Sequence, residues 1–125
     1  MGSDERLFAV RGAIQVDRND RDSILDATRA LVSELIARNS IETEQLVTVI
    51  FTCTDDLNAE FPAVAARELG LDRVPLLCTR EIPVPGAMER VIRVLAQFYA
   101  PGESEPVHAY VGAAQALRAD LESAQ

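Results

Sequence analysis

The sequence predicts an α+β domain, a mixed β-sheet with helices on one face, and three observations carry that expectation. Residues 7–16 (LFAVRGAIQV) alternate in apolar parity as a strand does, residues 46–53 (LVTVIFTC) form a nearly charge-free β-branched run, and a long amphipathic helical pattern lies between them. At roughly 100–200 residues per domain, a chain of 125 residues is expected to form a single domain over residues 1–125.

Taken in order, Leu7 to Val16 place Phe8, Val10, Ile14 and Val16 on one parity and Leu7, Ala9, Arg11 and Ala13 on the other, a strand with an arginine on its second face. Asn19, with Asp22 at capping-box distance, predicts a helix beginning near residue 20, whose apolar stripe is Ile24, Leu25, Thr28, Leu31, Val32, Leu35 and Ile36. Leu46 to Cys53 reads as a strand inside the sheet and buried on both sides. Pro62 is placed to open a short helix through PAVAARELG that Gly70 stops. Val74 to Glu81 reads as a third strand. From about Gly86 to Tyr99, the stripe Met88, Val91, Ile92, Leu95 and Phe98 predicts a third helix, ended by Pro101 and Gly102. Val107 to Val111 reads as a fourth strand, and the residues after it, from about 114, as a mobile tail of weak helical character. This β-α-β-α-β-α-β order leaves one sheet face uncovered, and its apolar residues predict burial against another subunit.

Composition narrows the function. Twenty acidic against twelve basic residues give a net charge of -8, which disfavours nucleic acid or an anionic membrane as partner. All twelve basic residues are arginine, so Schiff-base lysine chemistry is excluded and any anion site uses forked guanidinium groups. No apolar run approaches the roughly 20 residues of a transmembrane helix, and the start of the chain does not read as a secretory signal, so a cytoplasmic protein is expected. Cys53 and Cys78 with the single His108 compose neither a zinc motif nor a disulfide framework; no metal and no cofactor are expected, and both thiols read as reduced, in or near the core. His108 itself reads as structural. No nucleophile elbow, phosphate-binding loop or HExxH motif is present.

Arginine placement is the unusual feature. Arg67, Arg93 and Arg118 each have an ordinary reading, Arg93 as the i, i+4 partner of Glu89, Arg67 with its stem along apolar surface, and Arg118 solvated. Arg11 is harder to dismiss: a mid-strand cation followed by Gly12 points to a polar cleft where something approaches the backbone.

The segments VRGA (10–13), DLNAEFPAVAARE (56–68), VPLLCTREIPV (74–84), VIRV (91–94), HAY (108–110) and ALRADL (116–121) together resemble the AroH-type monofunctional chorismate mutases, from about residue 7 to 121. The resemblance implies a homotrimeric pseudo-α/β barrel with active sites between subunits. It also implies a concerted rearrangement of chorismate to prephenate with no cofactor, metal or covalent intermediate. Carried onto this chain, the catalytic group is Arg93, directed at the ether oxygen, with Glu81 accepting the substrate hydroxyl and Cys78 beside it. Arg11 and Tyr110 are implied to bind carboxylates, Phe61 and Leu117 to be apolar pocket positions, and Arg67 and Arg118 to be peripheral cations, the last on a tail that closes over the site. Subunit sharing is expected to set Phe61 and Arg67 opposite Arg11, Arg93 and Tyr110. Where relatives can carry lysine after the FPA triplet, this chain has Val64.

Two other readings compete. One is a non-catalytic trimeric module that binds a carboxylate metabolite; the other is a trimeric enamine or imine deaminase of the YjgF-like group. Neither calls for a cation aimed at a neutral ether oxygen, which is the role that Arg93 would serve together with Glu81.

Overall fold

A computed structural model describes residues 4–118. Its elements are β1 (Glu5–Gln15), α1 (Arg21–Asn39), β2 (Leu46–Cys53), α2 (Ala63–Glu68), β3 (Leu76–Arg80), β4 (Val91–Pro101) and β5 (Ala109–Val111), with short 3₁₀ turns at Thr43–Gln45 and Gly112–Arg118. The strands form one mixed sheet in the order β3-β2-β4-β1-β5, in which β4 is antiparallel to both neighbours and β2–β3 and β1–β5 are parallel.

The predicted third helix is absent: residues 91–101 are the long central strand. Met88, Val91, Ile92, Leu95 and Phe98 satisfy helical spacing, but the period that folds is two. Ile92, Val94, Ala96, Phe98 and Ala100 are buried on one face, while Arg93, Leu95, Gln97 and Tyr99 lie on the other. A central position opposite both β1 and β2 supplies eleven backbone partners on one side alone, which outweighs a weak helical preference in so β-branched a segment. The sheet therefore has five strands rather than four.

Two smaller expectations also shift. The α1 N-cap is Asp20, whose carboxylate accepts the Ser23 amide at 2.7 Å, whereas Asn19 is used elsewhere. That amide bond, with the Ser23 side chain, holds the Asp20 carboxyl below its ordinary pKa. And β2, although inside the sheet, is buried on one side only: Val49, Phe51 and Cys53 are enclosed, while Thr48, Ile50 and Thr52 are partly open.

The core lies between α1 and α2 and one sheet face. Ile24, Leu25, Leu31, Val32 and Leu35 of α1 pack toward Val10, Val49, Phe51, Val94 and Phe98, each fully buried side chain contributing roughly 1.5–3 kcal/mol. Thr28, buried in the same stripe, satisfies its hydroxyl on the Ile24 carbonyl at 2.7 Å. The opposite sheet face is covered only at its β1–β5 end, where Ala114 of the Gly112–Arg118 turn packs with Ala13, Val91 and Tyr110; elsewhere it is open, with Leu7, Leu77, Leu95 and Tyr99 exposed. Among the described residues no helix is long and apolar enough to cross a membrane. The expected tail begins as the 3₁₀ turn through Arg118, and its remainder lies outside the described residues.

Candidate active site

Strand register sets a crosswise row on the open face. Thr79 of β3 lies opposite Thr52 of β2, Thr52 opposite Arg93 of β4, Arg93 opposite Ala13 of β1, and Ala13 opposite Tyr110 of β5. With strands about 4.8 Å apart, the Arg93 and Tyr110 backbones stand about 10 Å apart across the small Ala13. Arg11 shares that face, two residues before Ala13.

Glu81 joins this row from the end of β3. Its amide donates to the Cys53 carbonyl at 2.9 Å, extending the β2–β3 ladder by one residue. Its Oε2 then accepts both the Thr52 hydroxyl at 2.5 Å and Arg93 Nε at 2.9 Å. The Arg93 and Glu81 side chains are 32% and 16% exposed, so the pair is largely shielded yet open on one side. Glu89, the partner that helical spacing offered Arg93, pairs instead with Arg90 at 2.9 Å, because in a strand the residue four back is no neighbour.

The entry to β4 is braced. Arg90 adopts φ +53°, a left-handed conformation that costs a non-glycine residue roughly 1–3 kcal/mol. Both Asp56 carboxylate oxygens accept its amide at 3.1 and 3.2 Å, and its Nε donates to the Val16 carbonyl at 2.8 Å. Thr54 completes the brace, donating to Asp56 at 2.6 Å and accepting the Val91 amide at 2.9 Å. These bonds fix the chain three residues before Arg93.

Tyr110 is buried with Ala13, Val91 and Ala114, and Leu117 and Met88 pack against that group. Strand β5 has only three residues, and α1 holds the segment that leads into it. Asn39 clamps Val107 from both sides, Nδ2 donating to its carbonyl at 2.9 Å and Oδ1 accepting its amide at 2.7 Å, while Arg38 donates to the His108 carbonyl at 2.9 Å. The Arg11 amide donates to His108 Nδ1 at 3.1 Å. Gly12 answers the question its position raised: the Ala109 carbonyl would lie 2.6 Å from a Cβ there, so the approaching group is the β5 backbone.

Phe61 and Cys78 lie elsewhere, on a cleft of ≈ 500 Å³ that Asp55, Asn58 and Arg80 also line. The Phe61 loop is pinned from the start of α1. Asn19 Oδ1 accepts the Asn58 and Ala59 amides at 3.0 and 3.1 Å, and Arg21 meets Glu60 at 3.0 Å while Glu60 accepts the Phe61 amide at 2.9 Å. Cys78 faces the helices, opposite Phe51 in register. Burial raises its thiol pKa against the opposing pull of the Ala63 amide and Arg67, so it is a neutral donor at pH 7 and not a thiolate. Cys53, more deeply buried, is pushed up to about 12 by desolvation and by the nearby Cys78 and Glu81. Both cysteines are free.

The structure thus brings Arg93 to Glu81, Tyr110 to Leu117, and Phe61 to Cys78, with exposed Arg67 on α2 near the last pair. It does not gather them into one pocket of one chain, since neither Arg93, Arg11 nor Tyr110 lines the Phe61 cleft. Arg118 is the last described residue. Sequence reasoning missed Thr52, Asp56 and Asn39; the available signal was a hydroxyl on the open parity of β2, which is easy to overlook in so apolar a run.

Comparison with known proteins bears on this arrangement. A family model described as chorismate mutase type I matches residues 7–121. The chorismate mutase AroH of Thermus thermophilus is 49% identical over 118 residues, 93% of this chain and 97% of that protein. The chorismate mutase AroH of Bacillus subtilis (strain 168) is 35% identical over 117 residues, 92% of each. A solved chorismate mutase from Clostridium thermocellum superposes with a TM-score of 0.79 at 36% identity, covering 87% of this chain and 98% of that one.

Proposed function

The chain belongs to the chorismate mutase type I family and is a chorismate mutase, an isomerase of aromatic amino acid biosynthesis, and from that premise we propose how its own residues do the work. Arg93 is the catalytic residue. As the rearrangement lengthens the C–O bond of chorismate while a C–C bond forms, negative charge gathers on the ether oxygen, and a preorganised guanidinium there stabilises the transition state more than the ground state. Glu81 accepts the substrate hydroxyl. Arg11 and Tyr110 hold carboxylate, spaced from Arg93 by the row across β4, β1 and β5. Leu117 closes the apolar side beside Tyr110.

The single observation that carries this reading is the shielded Arg93–Glu81–Thr52 group on the largely open sheet face. A cation half-withdrawn from water acts more strongly on a developing charge than a solvated one. The other half of the site, Phe61, Cys78 and Arg67, is supplied by the neighbouring subunit of a homotrimer, with Arg118 a peripheral cation on the tail, and the exposed Leu7, Leu77, Leu95 and Tyr99 support burial of this face in such an assembly. The enzyme is a single domain that works in the cytoplasm and takes no metal or cofactor.

Loss of chorismate absorbance on adding purified protein, with prephenate identified as a product of unchanged mass, tests the reading. Saturable binding without loss of chorismate would indicate a metabolite-binding module. Ammonia release from an enamine substrate would indicate the deaminase.

A further inference from the structure

We propose that Thr52 is a positioning residue for the rearrangement, its hydroxyl and Arg93 Nε together fastening one oxygen of Glu81 so that the other stays presented to substrate. The inference deepens the site reading above and rests on it. Thr52 faces Arg93 directly in the β2–β4 register, and it lies diagonally across the β2–β3 pair from Glu81, so its short side chain reaches the carboxylate from the sheet floor. The two bonds, 2.5 and 2.9 Å, both fall on Oε2 and neither on Oε1.

A carboxylate held at one oxygen by two donors from different strands has lost its freedom to rotate. Without the hydroxyl, Glu81 would keep only the Arg93 bond, and a flexible ion pair could turn both oxygens onto the guanidinium in the bidentate geometry that arginine and carboxylate favour. That rearrangement would withdraw the hydroxyl acceptor and turn the Arg93 fork away from the ether oxygen. Thr52 thereby keeps the pair monodentate. It touches no substrate in this arrangement and acts through Glu81 and Arg93.

Thr52→Val removes the hydroxyl at constant shape and β-propensity, and Thr52→Ser keeps it. Thr52→Val is expected to lower kcat about tenfold, the scale of one hydrogen bond to a charged group, with KM changed less than about threefold and Tm nearly unchanged. Thr52→Ser should stay within about twofold of the parent, a rescue that a merely structural role would not produce. In a Glu81→Gln background Thr52→Val should add less than about twofold. Parental kcat in Thr52→Val, equal impairment of Thr52→Ser, or a full additional loss in the Glu81→Gln background would each overturn the proposal. Parental kcat in Glu81→Gln alone would overturn the assignment of Glu81 itself, and the positioning role with it.

Discussion

The Arg93 guanidinium meets Glu81 through Nε at 2.9 Å and keeps about a third of its side chain open, so it is already oriented before any substrate arrives. Preorganisation of that kind costs no reorganisation during the reaction, and loss of one such donor typically costs about 2.7–4 kcal/mol of transition-state stabilisation. Arg93→Met, which keeps a long unbranched stem and removes the charge, should therefore lower kcat by at least about 100-fold with a smaller change in KM. Steady-state kinetics check it; near-parental kcat would show that packing and not charge matters there. At this scale Arg11 was legible because an arginine in an apolar strand is costly unless used, whereas Arg93, which helical spacing paired with Glu89, and Glu81 were legible only through the family resemblance. Their neutral partners were not legible. Thr52 is one more β-branched residue in LVTVIFTC, and Asp56 is one carboxylate in an acidic loop, until register and a left-handed Arg90 set them beside the site.

Among the elements, β4 shows why periodicity alone misleads: a segment whose apolar residues fit both periods is decided by its neighbours, and β1 and β2 flank it on both sides. Strand β5 shows the opposite case, since three residues at a sheet edge hold only through what docks on them. Gly12 admits the Ala109 carbonyl, and Gly12→Ala would put a Cβ 2.6 Å from that backbone oxygen and 3.0 Å from Leu31 Cδ1. Backbone cannot yield as a side-chain tip can. The variant should lose roughly 1–3 kcal/mol of stability and, because β5 carries Tyr110, raise KM for chorismate; denaturant unfolding and steady-state kinetics check both. The same junction makes stability pH-dependent. His108 accepts the Arg11 amide at Nδ1, and desolvation and then the Arg11 charge hold its pKa below the ordinary imidazole value. As pH falls through about 6.5 the unfolded chain takes up a proton that the native imidazole refuses, so native stability declines until the lower native pKa is reached. His108→Asn keeps an acceptor but cannot titrate. Between about pH 7.5 and pH 5.5 the Tm of the parent should fall more than that of this variant, and parallel curves would remove His108 from the effect.

For the whole molecule, the proposed homotrimer accounts together for the open sheet face and for the separation of the candidate site residues. Arg93 and Glu81 lie on the sheet face turned away from the helices, with Tyr110 tucked under the Gly112–Arg118 turn on that same face, whereas Phe61 and Cys78 line a cleft to which none of the three contributes. A closed ring that set one subunit's cleft against the next subunit's open face would bury the exposed Leu7, Leu77, Leu95 and Tyr99 and complete every site at once, because head-to-tail contacts that close repeat the same junction. The net charge of -8 per chain does not oppose binding of a dianion there, since within a Debye length of about 8 Å the local arginines set the potential. The uncovered parity of β1 was legible in the residues themselves, whereas a site shared between subunits was expected through the family resemblance alone; in the structure β3 turns Cys78 toward the helices while Glu81 reaches β4. Light scattering should give three times the 13.6 kDa chain mass, and a monomer at micromolar concentration would refute the assembly. Subunit mixing tests the sharing itself. Arg93→Met disables one half-site and Arg67→Glu, which repels a dianion, the other; each homotrimer should be nearly inactive at low chorismate. When the two are unfolded together and refolded as mixtures, random assembly gives about a quarter of the junctions both parental halves, so activity should return to about a quarter of the parental level. A site contained within one chain would regain nothing, since every chain in the mixture carries one defect.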